Sequence, residues 1–173
     1  MTRLLAALAL IALGSSSNAF ASSPIRTAGN LGIGVGGGYW LDGLSLKYFM
    51  SDGMALQGVI GAWGYGHNDY YYGHDYYGTT YGEIGFTGDY LWEEPALADS
   101  NGLELAWNIG LGPSLAAGSG YVALGVHGTL GLEFNFKPIP LDLVFEYKPG
   151  FLILPGVDAD LFDFAAHIRI YPF

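Results

Sequence analysis

Cysteine is missing from the 173 residues, so no disulfide framework or thiolate metal site can form, and no thiol is there to carry a lipid. Positive charge is scarce: six Lys and Arg stand against sixteen Asp and Glu. A chain this acidic repels phosphate backbones, which excludes nucleic acid as a partner. Charged residues of either sign make up only 13%, well under the roughly 25% of an ordinary soluble domain. After Ala21 no apolar run reaches the length of about 18 residues that reads as a membrane-spanning helix. What is abundant is glycine, with 28 residues, and aromatic side chains, at 16%.

The chain opens with Arg3, an apolar run from Leu4 to Leu13, then Gly14-Ser15-Ser16-Ser17 and Ala19-Phe20-Ala21. A positive residue, a short apolar segment and an A-x-A site in that order predict a secretory signal peptide, residues 1–21, cut after Ala21. The run is too short to span a bilayer, which takes about 20 residues. Losing Arg3 with the signal leaves five basic against sixteen acidic side chains. Residues 22–30 read as a polar, unstructured lead-in, and residues 31–173 as a single domain.

That domain alternates with a period of two, which is the mark of strands. Leu31, Ile33, Val35 and Tyr39 alternate with Gly32, Gly34, Gly36 and Gly38; so many glycines on one face predict that bulky groups approach it across a narrow interior. After a turn at Leu41-Asp42-Gly43, a second strand carries Leu44, Leu46, Tyr48 and Met50 against Ser45 and Lys47. Ser51-Asp52-Gly53 turns the chain into a third, Met54 to Tyr65, whose facing the pattern leaves open. A fourth, Thr79 to Trp92, sets Ile84, Phe86, Tyr90 and Trp92 opposite Glu83, Thr87 and Asp89, and Glu93 to Gly102 reads as a polar connection. Two further strands follow, from Leu103 and after Gly118-Ser119-Gly120. The last hairpin pairs Leu141 to Pro149 with Phe162 to Ile170 around a turn at Pro155-Gly156.

In every clear strand one row is apolar and aromatic, while the other collects charges and glycine. If the apolar row were buried, Trp, Phe and Leu would overfill an interior of eight strands while glycine lined the outside. The expected fold is therefore all-β: an eight-stranded antiparallel up-and-down transmembrane β-barrel, polar within and apolar towards lipid. With both ends in the periplasm, the turns at Ser51 to Gly53, Glu93 to Gly102 and Lys137 to Pro140 are expected on the periplasmic side. The connections at Leu41 to Gly43, Gly66 to Gly78, Ala116 to Gly120 and Pro155 to Asp160 are expected outside.

With its signal, its eight alternating segments and its ending Ile168-Arg169-Ile170-Tyr171-Pro172-Phe173, the chain resembles the small eight-stranded outer-membrane proteins, the class of the OmpA transmembrane domain, OmpX and OmpW. The resemblance implies residence in the outer membrane of a Gram-negative cell, in contact with lipid and lipopolysaccharide. It also implies that Tyr171 and Phe173 form the terminal signal read by the barrel-assembly machinery. Both share parity with His167 and Arg169, so a bulge or break near Pro172 is expected. The class carries no single function.

Three sets of residues are candidates for chemistry. Glu146 is expected near Arg169 and Lys148 near His167, and together with Glu133 and His127 they would form a plug of ion pairs inside the barrel. The stretch from His67 to Gly78 nearly repeats a His, Asp, Tyr-Tyr, Gly unit. Its Tyr70, Tyr71, Tyr72, Tyr76 and Tyr77 suit a contact surface for lipopolysaccharide or a surface partner, whereas its His and Asp lack fixed metal-ligand spacing. Finally, a lipid A deacylase of eight strands uses a His-x-Ser pair with a downstream acid. The comparable residues here are His127-Gly128-Thr129 and Glu133, with Thr in place of the nucleophilic Ser. An acyltransferase arrangement would draw on His67, Asp69 or Ser119. The reading reached is a non-enzymatic structural or surface-contact protein without cofactor or metal, with a lipid A-modifying enzyme or a narrow channel as alternatives.

Overall fold

In a computed structural model of the chain, the described residues are 24–38, 41–63, 83–118 and 121–172. They form ten strand segments: β1 (Leu31–Gly38), β2 (Leu41–Ser51), β3 (Met54–Trp63), β4 (Glu83–Asp99), β5 (Leu103–Gly118), β6 (Tyr121–Phe136), β7 (Leu141–Tyr147), β8 (Gly150–Leu154), β9 (Asp158–Asp160) and β10 (Phe164–Ile170). Sequential neighbours pair antiparallel from β1 through to β7. β7 with β8 makes one wall, since both lie along β6; β9 with β10 makes the next, along β8 and β7. β10 returns to β1, with Ile33 opposite Ile170 and Gly36 opposite His167. The result is a closed eight-stranded antiparallel barrel.

Alternation decides the facing. On β2, Ser45, Lys47 and Phe49 are buried while Leu44, Leu46, Tyr48 and Met50 are exposed. On β5, Glu104, Ala106 and Asn108 are buried whereas Ile109 and Leu111 are exposed. β3, ambiguous in sequence, turns Leu56 and Ile60 outward and Ala55, Gln57 and Val59 inward. An apolar exterior around a charged interior inverts the arrangement of a water-soluble protein.

Four local expectations need correction. The strand β2 already begins at Leu41, so Leu41-Asp42-Gly43 is paired wall and not a turn. β4 continues through the expected polar connection as far as Asp99, with a register shift between Glu94 and Ala98 that accommodates Pro95. The described part of the lead-in, residues 24–30, is not unstructured. Gly29 N–H donates to Phe49 O, Asn30 donates to the Pro24 and Ile25 carbonyls, and Ile25 is sealed among Phe49, Ala55, Leu91 and Tyr171. Lastly, Tyr171 needs no bulge before it. β10 ends at Ile170, and the tyrosine keeps the inward parity, with its ring against Phe49 and its hydroxyl donating to Asp142 Oδ2 at 2.7 Å.

The interior is thus tiered. Ile25 and its apolar neighbours close the end where the described residues begin and end, and Leu41, Val59, Ala116 and Ala123 form a second apolar cluster towards the other end. Between them lie the ions. The glycine row of β1 explains how this fits. A Cβ on Gly36 would stand 2.0 Å from His167 Nδ1, and one on Gly32 would stand 2.5 Å from the Tyr171 ring. A Cβ on Gly34 would stand 1.9 Å from the backbone oxygen of Ile168, which cannot yield. Gly34→Ala is therefore expected to cost about 1 to 3 kcal/mol by forcing β1 and β10 apart, whereas Gly156→Ala, with nothing within 4 Å, should be close to neutral. Chemical unfolding of the refolded variants checks this; equal stability would mean that the closing seam is looser than described.

Candidate functional site

The sequence supplies six Lys and Arg, and four of them, Arg26, Lys47, Lys148 and Arg169, are buried inside the barrel. Six carboxylates are buried with them: Asp89, Glu93, Glu104, Glu133, Asp142 and Glu146. Strand alternation aims these side chains at one another, since every wall of the barrel contributes its inward row to the same narrow space.

At the end closed by Ile25, Arg26 Nε lies 3.4 Å from Glu93, Nη1 lies 3.2 Å from Glu104, and Nη2 donates to the Glu94 carbonyl at 2.6 Å. Burial alone would lower the Arg26 pKa, but Glu133, Glu93 and Glu104 outweigh it and raise it above its ordinary value, so the guanidinium is held charged. Lys47 bridges Glu133 and Glu93, the latter at 2.8 Å. Its ammonium also lies 4.9 Å from the centroid of the Phe49 ring.

The middle tier is built on Arg169. Its Nε and Nη2 embrace Asp142 at 3.0 to 3.2 Å, and its Nη1 donates to Gln57 Oε1 at 2.6 Å. Gln57 then passes the chain on, donating to Glu146 Oε1 at 2.7 Å. Above it, Glu146 meets Lys148 at 3.5 Å and His167 at 3.1 Å. Asp89 receives Lys148 at 2.8 Å, Thr129 at 2.7 Å and His127 at 2.7 Å.

All six residues expected in the ion network, Glu133, His127, Glu146, Lys148, His167 and Arg169, line this interior, but one expected pairing is corrected. Arg169 pairs with Asp142 and not with Glu146, because Asp142 is its direct neighbour in the β7–β10 register, while Glu146 stands opposite Ala165. Lys148 reaches Asp89 and shares Glu146 Oε2 with His167, so it does lie near that imidazole. Sequence reasoning missed Gln57 as the link and Arg26 as part of the network. Gln57 lay on the one strand with ambiguous parity, and Arg26 lay outside any strand.

Beside the ions is a cavity of ≈ 90 Å³, lined among others by His127, Lys148 and His167, by Leu41, Val59 and Leu152, and by Asp158, Asp160 and Asp163. The candidate deacylase residues are also placed. His127 and Thr129 both bind Asp89, so neither turns outward, and Glu133 is engaged by Lys47 and Asn108. A second chain of groups, unforeseen, runs from Ser45 Oγ to His167 Nδ1 at 3.1 Å and from His167 Nε2 to Glu146 at 3.1 Å. Ser45 has no exposed surface. Tyr70, Tyr71, Tyr72, Tyr76, Tyr77, His67, Asp69, Ser119 and Phe173 lie outside the described residues. Among the described residues no group of three or more His, Asp and Glu is placed to hold a metal ion, and no helix is long and apolar enough to cross a membrane, which says nothing of strands.

Compared with family models, with curated proteins and with solved structures, the chain finds no match.

Proposed function

We propose that the protein is an outer-membrane β-barrel, exported through a cleaved signal peptide, with a structural or surface-contact role and no open pore. One observation carries the reading: the outward row of the barrel is apolar on wall after wall, while four of the six basic residues are spent inside. Leu44, Leu56, Phe86, Leu111, Leu130, Phe145 and Ile168 are each between about two fifths and three fifths exposed and come from seven different strands. An apolar belt of this extent is out of keeping with water, where patches beyond a few hundred Å² mark contact surfaces; hydrocarbon accepts it. Inside, ion pairs and the inserted lead-in leave the lower two tiers packed with side chains. Lipid and lipopolysaccharide are the contacts such a surface takes, and assembly would pass through the barrel-assembly machinery.

The alternative of a lipid A-modifying enzyme draws on the Ser45, His167, Glu146 chain, which has the order of nucleophile, base and acid. Ser45 is sealed from both lipid and water, which favours the structural reading. The mature protein is expected to fractionate with outer membranes, to run with heat-modifiable mobility, and to give no stable conductance in planar bilayers. The lipid A acyl pattern of cells with and without it should be the same by mass spectrometry. Recovery in the soluble periplasm refutes the location, reproducible channel openings restore the narrow channel, and an acyl change lost in Ser45→Ala or His127→Ala restores the enzyme.

A further inference from the structure

The cavity beside the ions has its cause in the register. Pairing runs from Ser45 to Val59, on to Thr87, to Ser114, to Gly125 and to Leu152, so these residues stand in one hoop around the barrel. All but Leu152 are no larger than valine, and a hoop of small side chains leaves the middle of an eight-stranded barrel unfilled. Ser114 leans over the bare backbone of Gly125, where a Cβ would stand 2.6 Å from its Oγ. Residues of all eight walls line the ≈ 90 Å³ that remains, so the space is lumen and not a groove of the outer surface.

Its lining is of two kinds. Leu41, Val59 and Leu152 belong to the second apolar cluster and offer hydrocarbon. Thr87, Ser114 and His127 offer groups that donate or accept hydrogen bonds. Thr87 and Ser114 are direct cross-strand neighbours, and His127 lies two residues beyond Gly125, on the same face and diagonal to Ser114, which puts the three within reach of one guest. His127 is held to Asp89 through Nε2, and its Nδ1 is not part of that bond. An apolar space with a few polar groups together is the build of a small-molecule site.

Charge narrows the class of guest. Among the described residues Lys148 is the one Lys or Arg in the lining, and its ammonium is already matched by Asp89 at 2.8 Å and Glu146 at 3.5 Å. Asp158, Asp160 and Asp163 line the same space, so an anion would enter against a negative field. The carboxylates that would meet an organic cation sit on or next to β9, which is exposed at Asp158 and Ala159, and ion pairs within reach of water contribute little. A purely apolar guest would offer nothing to the two hydroxyls.

We propose that the cavity binds a short uncharged amphiphile, an alcohol or the hydroxyl-bearing end of a longer molecule. Its hydroxyl meets Thr87 and Ser114, with His127 beside them, and its chain lies against Leu41, Val59 and Leu152. An engineered cavity of ~150 Å³ takes benzene, so ≈ 90 Å³ suits a guest of about five heavy atoms. The site lies inside the wall and does not depend on what covers the outside.

The test places the full mature chain in lipid nanodiscs and adds 1-butanol, butylammonium or butanoate, three probes with one chain length and three charges. Methyl resonances of Leu41, Val59 and Leu152 are followed by NMR. Butanol is expected to shift them saturably, with Kd on the order of 1 mM, above the linear drift caused by butanol dissolved in the lipid. Each ion should bind about tenfold more weakly or not at all. Thr87→Val, which keeps the shape and removes the hydroxyl, should weaken butanol about 3- to 10-fold. Should that variant not fold, the comparison of the three probes on the wild-type barrel decides. No saturable shift, which leaves only water in the cavity, tighter binding of either ion, or unchanged butanol binding in Thr87→Val would overturn the inference.

Discussion

Replacing Arg169 with leucine is expected to lower the stability of the folded barrel by about 3 to 5 kcal/mol, the cost of breaking a buried ion pair from one side. Arg169 is 1% exposed and Asp142 has no exposed surface. Without the guanidinium, Asp142 keeps a hydrogen bond from the Tyr171 hydroxyl, and Gln57 Oε1 loses its donor. The loss should fall steeply when both partners go: Arg169→Leu with Asp142→Leu replaces a charged pair by apolar groups, an exchange that is often near neutral. Denaturant unfolding of the refolded single and double variants, followed by tryptophan fluorescence, reads both numbers. A single variant within 1 kcal/mol of wild type would mean that water reaches this tier and that the plug is not dry.

One residue earlier the expectation has a different cause. Ile168 faces outward at 45% exposure, between Val35 on β1 and Leu143 on β7. In a barrel wall facing hydrocarbon, Ile168→Arg near the midplane should cost about 2 to 4 kcal/mol. In a barrel facing water, the same change at a half-exposed position should stay within about 0.5 kcal/mol. The comparison therefore tests the proposed membrane location independently of cell fractionation. Refolding into lipid vesicles with Ile168→Leu as control gives the measurement, and an arginine as well tolerated as the leucine would argue for water outside. Since the inward Arg169 and the outward Ile168 are adjacent, the two variants together test the facing of the strand by opposite physics: one removes a charge from the interior, the other adds a charge to the exterior.

The number of strands, their antiparallel order and the inward or outward sense of most residues were legible in the sequence, because a strand has a period of two and every clear segment here separates apolar from polar along it. Lys47, Glu133, Glu146, His167 and Arg169 could be assigned to the interior on that ground alone, without knowing any partner. Who meets whom could not be read, since opposition across strands depends on register, and one wall's offset is set by the others through closure. That is why Arg169 was expected at Glu146 and is found at Asp142. The lead-in was illegible for a different reason. Ile25 and Arg26 belong to no periodic segment, and their burial is created by a barrel end that exists only after the strands have closed.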